Sequence, residues 1–261
     1  MENDKSRRNV GFFSFVLLNF LEAVREKIFW GVVFFFLFLL GLSFFLSMVS
    51  VGESARVLRG AGLSAMELGG IVLLVFSFTF GFYRDKNGRI LEVYLSCLPR
   101  HVYTASKVCA YLLIAFFYLA LAGIFWAAVL AANGAFFWQF WAGLFSIFLK
   151  LSIVILLNLV FCCLFSSPVL ALLSTIFLYV CGEIVSEAAR LSTVYVKGEF
   201  SSTLLSVLKY ILPNLDKLDL KSRLLYAQIP NAGYLGLISL YTLLYCLFLW
   251  SLGTWIFIKR K

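Results

Sequence analysis

Six long apolar runs dominate the chain, at about Ile28 to Val49, Ala65 to Tyr83, Val108 to Ala132, Trp138 to Phe165, Val169 to Glu187 and Gly233 to Ile258. None alternates polar and apolar residues as barrel strands do, and each approaches the ~20 residues with which a helix crosses roughly 30 Å of hydrocarbon. In lipid every backbone N–H and C=O must be paired within its own segment, and continuous runs of this length achieve that as helices. The pattern predicts an all-α polytopic membrane protein of six transmembrane helices, a single transmembrane domain over residues 1–261.

Three segments between the runs carry further pattern. Residues 11–27 are apolar until the charged cluster Glu22, Arg25, Glu26 and Lys27, which fits an elbow helix lying in the membrane interface after a short tail, together residues 1–27. In residues 84–107, Ile90, Leu91, Tyr94, Leu95 and Leu98 recur at helical spacing, with Arg89, Glu92 and Ser96 on the opposite face. Asp85 and Asn87 stand as capping residues at its start and Pro99 closes its end, so a short amphipathic helix flat on the membrane surface is expected. In residues 188–232, Leu204, Leu205, Leu208, Ile211 and Leu212 oppose Ser202, Ser206 and Lys209 until Pro213, and the turn-rich "PNLDKLDLK" follows.

Composition narrows the class. Hydrophobic residues make up 62% of the chain and charged residues 13%, which leaves too little polar surface for a soluble domain. The net charge of +9 is mostly a topology signal and not a nucleic-acid footprint. Lys5, Arg7, Arg8, Arg25, Lys27, Arg84, Lys86, Arg89, Arg100, Lys107, Lys259, Arg260 and Lys261 fall on one side, which places both termini in the cytoplasm. The basic residues of 188–232 fall in a long outer loop, where they count for less and are offset by Glu187, Glu199, Asp216 and Asp219. Phe12 to Leu21 runs into Glu22 with no small-residue cleavage site, which predicts a retained segment and not a cleaved signal. The six cysteines lack the spacing of a disulfide framework and read as small apolar fillers.

The chemistry is sparse. There is no G-x-x-x-x-G-K-[ST] and no Gly-Lys dipeptide, so any ATP must be handled by another chain. His101 stands alone without clustered carboxylates, which argues against a metal centre or a histidine-based catalytic site. Within the spans the reading singles out two ionisable residues, Lys150 and Glu183, and the polar Asn158. An isolated lysine at mid-bilayer costs roughly 2.5 to 3.5 kcal/mol, so Lys150 is expected to face the bundle interior with Glu183 as partner. That pair serves either as the lining of a translocation path or as a lock between two helices.

The chain resembles the permease subunits of type-2 ABC exporters, in the branch of multicopper-enzyme-maturation and gliding transporters. The resemblance spans nearly its whole length. "FLEAVREKIFW" (Phe20 to Trp30) is similar to the family's interfacial elbow, "VGESARVLRGAGLSAMELGG" (Val51 to Gly70) to its first outer loop, and "LPNLDKLDLK" (Leu212 to Lys221) to the loop before its last span. "NGRILEVYLSCLPRH" resembles the coupling segment, with Pro99 one residue later than usual and Ser106 in place of a common Gly. The resemblance implies two permease chains, identical or different, and two ABC ATPase subunits that bind the ATP and magnesium, with no cofactor on this chain. It matches Gly88, Glu92, Ser96, Pro99, Arg100 and Lys107 to coupling positions, and these, with Arg84, Asp85 and Arg89 of the same loop, are expected to couple to the ATPase, while Glu22, Arg25 and Lys27 are expected to form the elbow. It places the protein in the bacterial inner membrane, bathed in lipid. The rival reading is a membrane scaffold or assembly factor without transport, and a membrane-embedded enzyme comes third.

Overall fold

The computed structural model describes residues 2–25, 34, 41, 45, 54–88, 99–195, 215–221 and 232–259. Among these the regular elements are helices: α1 (Glu2–Arg25), α2 (Ser54–Asn87), α3 (Arg100–Ala132), α4 (Phe140–Leu164), α5 (Pro168–Tyr195) and α6 (Ala232–Lys259). A 3-10 turn, Leu215–Leu218, lies between α5 and α6. Among the described residues four helical stretches are long and apolar enough to cross a membrane: Leu58–Asn87, Arg100–Ala132, Phe140–Leu164 and Gly233–Lys259. The chain is therefore an all-α, multi-pass integral membrane protein. The apolar part of α5 is shorter, Pro168–Ile184. The expected span from Ile28 to Val49 lies outside the described residues except at Phe34, Gly41 and Phe45.

Three boundaries differ from the sequence reading. The segment from Val51 to Gly70, expected from the family resemblance to be an outer loop, is helical from Ser54. Arg59 donates from Nε to the Ala135 carbonyl at 2.8 Å and lies over the Phe137 ring, so this arginine ties two helix ends together. At the other end α2 runs on through Asn87, so Asp85 and Asn87 belong to its last turns and do not cap a new helix. The connection to α3 shrinks to residues 88–99, and α5 continues past Glu187 to Tyr195.

α2 and α3 pack antiparallel in strict register. Tyr103 faces Asp85, Lys107 faces Gly81, Tyr111 faces Ser77 and Trp126 faces Gly62, each step forward on α3 matched by an equal step back on α2. Tyr111 and Tyr118 donate their hydroxyls to the Ser77 and Met66 carbonyls at 2.9 and 3.0 Å, which satisfies phenols that lipid could not. Gly62 is required there, because a Cβ would overlap the Trp126 indole.

α4 is the central element, packed by α2, α3, α5 and α6, and every residue from Leu149 to Val160 is buried. At spacings of four and eight it carries Ser146, Lys150 and Asn158 on one stripe. Asn158 joins three helices: its Nδ2 donates to the Val75 carbonyl at 3.0 Å, and its Oδ1 accepts from Thr79 and Thr175, both at 3.1 Å. On α6, Gly253 lets the helix pack against Leu159 and Val160. Asn158→Leu should lower stability by about 1 to 2 kcal/mol, the range for hydrogen bonds between membrane helices. Thermal unfolding in detergent measures it, and an unchanged melting temperature would contradict the three-helix node.

Candidate functional site

The polar stripe of α4 ends in a charged cluster at one end of the bundle. Lys150 Nζ pairs with Glu67 Oε1 of α2 at 2.7 Å and with Glu183 Oε1 of α5. Lys150 and Glu67 are each 2% exposed, whereas Glu183 is 30% exposed. Tyr179, one turn before Glu183 on the same face of α5, donates its hydroxyl to Glu67 Oε1 at 2.6 Å. The second Glu67 oxygen pairs with Lys221 from the segment between α5 and α6. Each ammonium thus faces carboxylates, Lys150 those of Glu67 and Glu183 and Lys221 that of Glu67, with Asp219 a further 3.9 Å neighbour of Lys221, and such pairing is the condition under which ionised groups persist in a low-dielectric interior. The crevice among Glu67, Gly143, Ser146, Ile147, Lys150, Leu218, Asp219 and Lys221 is closed tightly enough to exclude water.

A second junction sits at the opposite end. Lys107 Nζ pairs with Asp85 Oδ2 and donates to the Gly81 carbonyl at 3.0 Å, and Tyr103 donates its hydroxyl to the same Asp85 oxygen at 2.9 Å. Lys107 is 2% and Asp85 1% exposed. Around this pair three further contacts gather the helix ends. Arg84 pairs with Glu22 of α1 at 3.0 Å. Arg100 donates to the Ile258 carbonyl at 2.9 Å, satisfying a free carbonyl in the last turn of α6. Thr104 shares a 3.0 Å hydrogen bond with Thr254, also on α6.

The residues singled out in the sequence divide accordingly. Lys150 and Glu183 are paired, while Asn158 belongs to the separate node two turns along α4. Glu22, Arg84, Asp85, Arg100 and Lys107 converge at one end, with Gly88 and Pro99 at the two ends of the connection. Asp85 and Lys107 are buried against each other, so neither offers a side chain to another protein. Arg25 is exposed at the end of α1. Lys27, Arg89, Glu92 and Ser96, with the amphipathic segment they define, lie outside the described residues.

Sequence reasoning overlooked Glu67, Tyr179 and Lys221. Glu67 interrupts the second apolar run as plainly as Lys150 interrupts the fourth, so the signal was there to be counted. Lys221 read as one more basic residue of a loop, and only the packing of its segment reveals its partner. A separate groove of about 330 Å3 between α3 and α4, lined by Phe116, Leu119, Ala120, Trp141, Leu144, Phe145 and Phe148, is walled almost entirely by apolar atoms. Compared with known proteins, the sequence matches no family model and no curated protein.

Lys150→Met leaves Glu67 with Lys221 and the Tyr179 hydroxyl, and Glu183 without its ammonium partner on α4. It should cost about 3 to 5 kcal/mol, the usual effect of removing one partner of a buried pair. Lys150→Met with Glu183→Gln should recover part of that loss, since Glu67 still has Lys221. Detergent melting of the single and double variants decides this, and strictly additive losses would contradict a shared ammonium.

Proposed function

We propose that the chain is the transmembrane permease subunit of an ATP-driven ABC exporter, crossing the membrane six times and working with separate ATPase subunits and a second permease chain. The observation that carries this reading is the junction around Asp85 and Lys107. The two segments that the family resemblance assigns to ATPase contact, the elbow and the 84–107 connection, meet there through Glu22 and Arg84. The connection is also clamped at both flanks by one buried ion pair, and its far flank is bonded to α6 by Arg100 and Thr104. A push on residues 88–99 therefore reaches α2, α3 and α6 together, which is what converting ATPase closure into bundle movement demands.

The charge distribution supports a cytoplasmic position for this end, since Arg84, Lys86, Arg100 and Lys259 gather there. Both termini then lie in the cytoplasm of a bacterial cell, with the Lys150 cluster in the outer half of the membrane. Substrate would move outward by alternating access, with ATP and magnesium bound on the partner. A scaffold without transport has less use for a force-bearing clamp at a loop.

Purification from membranes in mild detergent should bring down an ATPase subunit with vanadate-sensitive hydrolysis. A scaffold would come down without one. Glu92→Lys, Arg89→Glu and Arg100→Glu should each weaken ATPase recovery while the membrane level of the chain stays unchanged. Asp85→Asn with Lys107→Met should retain the ATPase and lose the link between hydrolysis and transport. If these three variants all keep full binding and activity, the connection is not the docking element.

A further inference from the structure

Residues 215–221, between α5 and α6, are seated by two kinds of contact. Leu215, Leu218 and Leu220 are buried against the bundle, and Lys217 points outward. Ser146 of α4 donates to the Leu218 carbonyl, and Tyr234 of α6 donates to the Lys217 carbonyl at 2.9 Å. Asp219 accepts from the Lys221 backbone N–H at 2.9 Å, a local turn that sets the direction of the lysine side chain. From there the ammonium reaches down to Glu67, a carboxylate 2% exposed, while the lysine itself is 21% exposed. The ion pair thus joins a surface segment to the interior of the bundle.

We infer that Leu215–Lys221 is a plug over the mouth of the bundle, held by an electrostatic latch between Lys221 and Glu67. The plug covers the crevice of Gly143, Ser146 and Ile147 that leads down to Lys150. Its contacts can release without parting any two spanning helices, because the plug belongs to none of them. On release, Glu67 keeps Lys150, but Lys150 also serves Glu183, so these three groups are left with one negative charge in excess. That excess attracts Lys221 back toward the closed state, a pull that Asp219, 3.9 Å from the same ammonium on the plug, tempers without cancelling. The proposed orientation enters only in naming the plug's side as the outside.

A cysteine placed at Ile147, a buried wall of the crevice, reports on opening. The full chain in lipid vesicles is treated with a charged, membrane-impermeant thiosulfonate, with the chain lacking the added cysteine as background. In the Ile147→Cys chain the reaction should be slow, and adding Lys221→Met should accelerate it at least about tenfold by raising the open population. Lys221→Arg keeps the charge and should stay close to the parent rate. Equal rates in the Met variant and the parent would overturn the latch. So would loss of Lys221→Met from the membrane or melting as low as that of Lys150→Met, since either would make Lys221 a structural anchor. Reagent is applied separately to each face of the vesicles. Acceleration from the cytoplasmic face alone keeps the plug and overturns the orientation, whereas no acceleration from either face, with the ATPase still co-purifying, overturns the plug and leaves the exporter reading standing.

Discussion

An ammonium group carried on the central helix of a bundle in hydrocarbon has to find negative charge within reach, and Lys150 sets this demand for the whole protein. α4 is packed by four helices and Lys150 is 2% exposed, so its charge must be met by its neighbours. Glu67 from α2 and Glu183 from α5 meet it, and the surplus carboxylate charge is met in turn by Lys221. Rotation of α2, α4 or α5 by one residue about its axis would turn its charge through about 100° and strand it. The cluster therefore fixes the mutual rotation of three helices whose apolar surfaces, interchangeable with lipid tails, specify it weakly.

The two charged junctions differ in a way that bears on mechanism. The pair of Asp85 and Lys107 is sealed, joins neighbouring helices and is buttressed by Tyr103 and the Gly81 carbonyl, which makes it a rigid clamp. The Lys150 cluster includes a member from a surface segment and a half-buried Glu183, so it can rearrange at one edge without being dismantled. Between them lies the uncharged Asn158 node, which holds α2, α4 and α5 in mid-bundle. On the proposed exporter reading, a bundle firm at one end and adjustable at the other would carry movement from a docked ATPase toward the opposite side.

Much of this architecture is legible in the sequence, because lipid removes alternatives: a long apolar run can only be a helix, and Lys150 can only be paired. The limits of that logic are equally physical. Arg59 and Gly62 fall before the apolar run that starts at Ala65, in a segment resembling an outer loop, and their contacts with Ala135 and Trp126 are tertiary facts. Asp85 and Lys107 read as surface charges of a connection because they are 22 residues apart in sequence, and only the antiparallel register of α2 and α3 brings them together out of solvent. Lys221 was hidden for the same reason, its carboxylate partner lying far away along the chain.

The central claim, that one buried ammonium on α4 organises the bundle, is open to direct measurement in lipid. With lysine labelled at Nζ with nitrogen-15 and glutamate at the side-chain carboxyl with carbon-13, magic-angle-spinning NMR reads their dipolar coupling in proteoliposomes. A strong short-range coupling that falls sharply in Lys150→Met is the expected result. A coupling that Lys150→Met leaves unchanged would mean that Lys150 does not contact Glu67 or Glu183, and the account of the bundle built on that contact would be wrong.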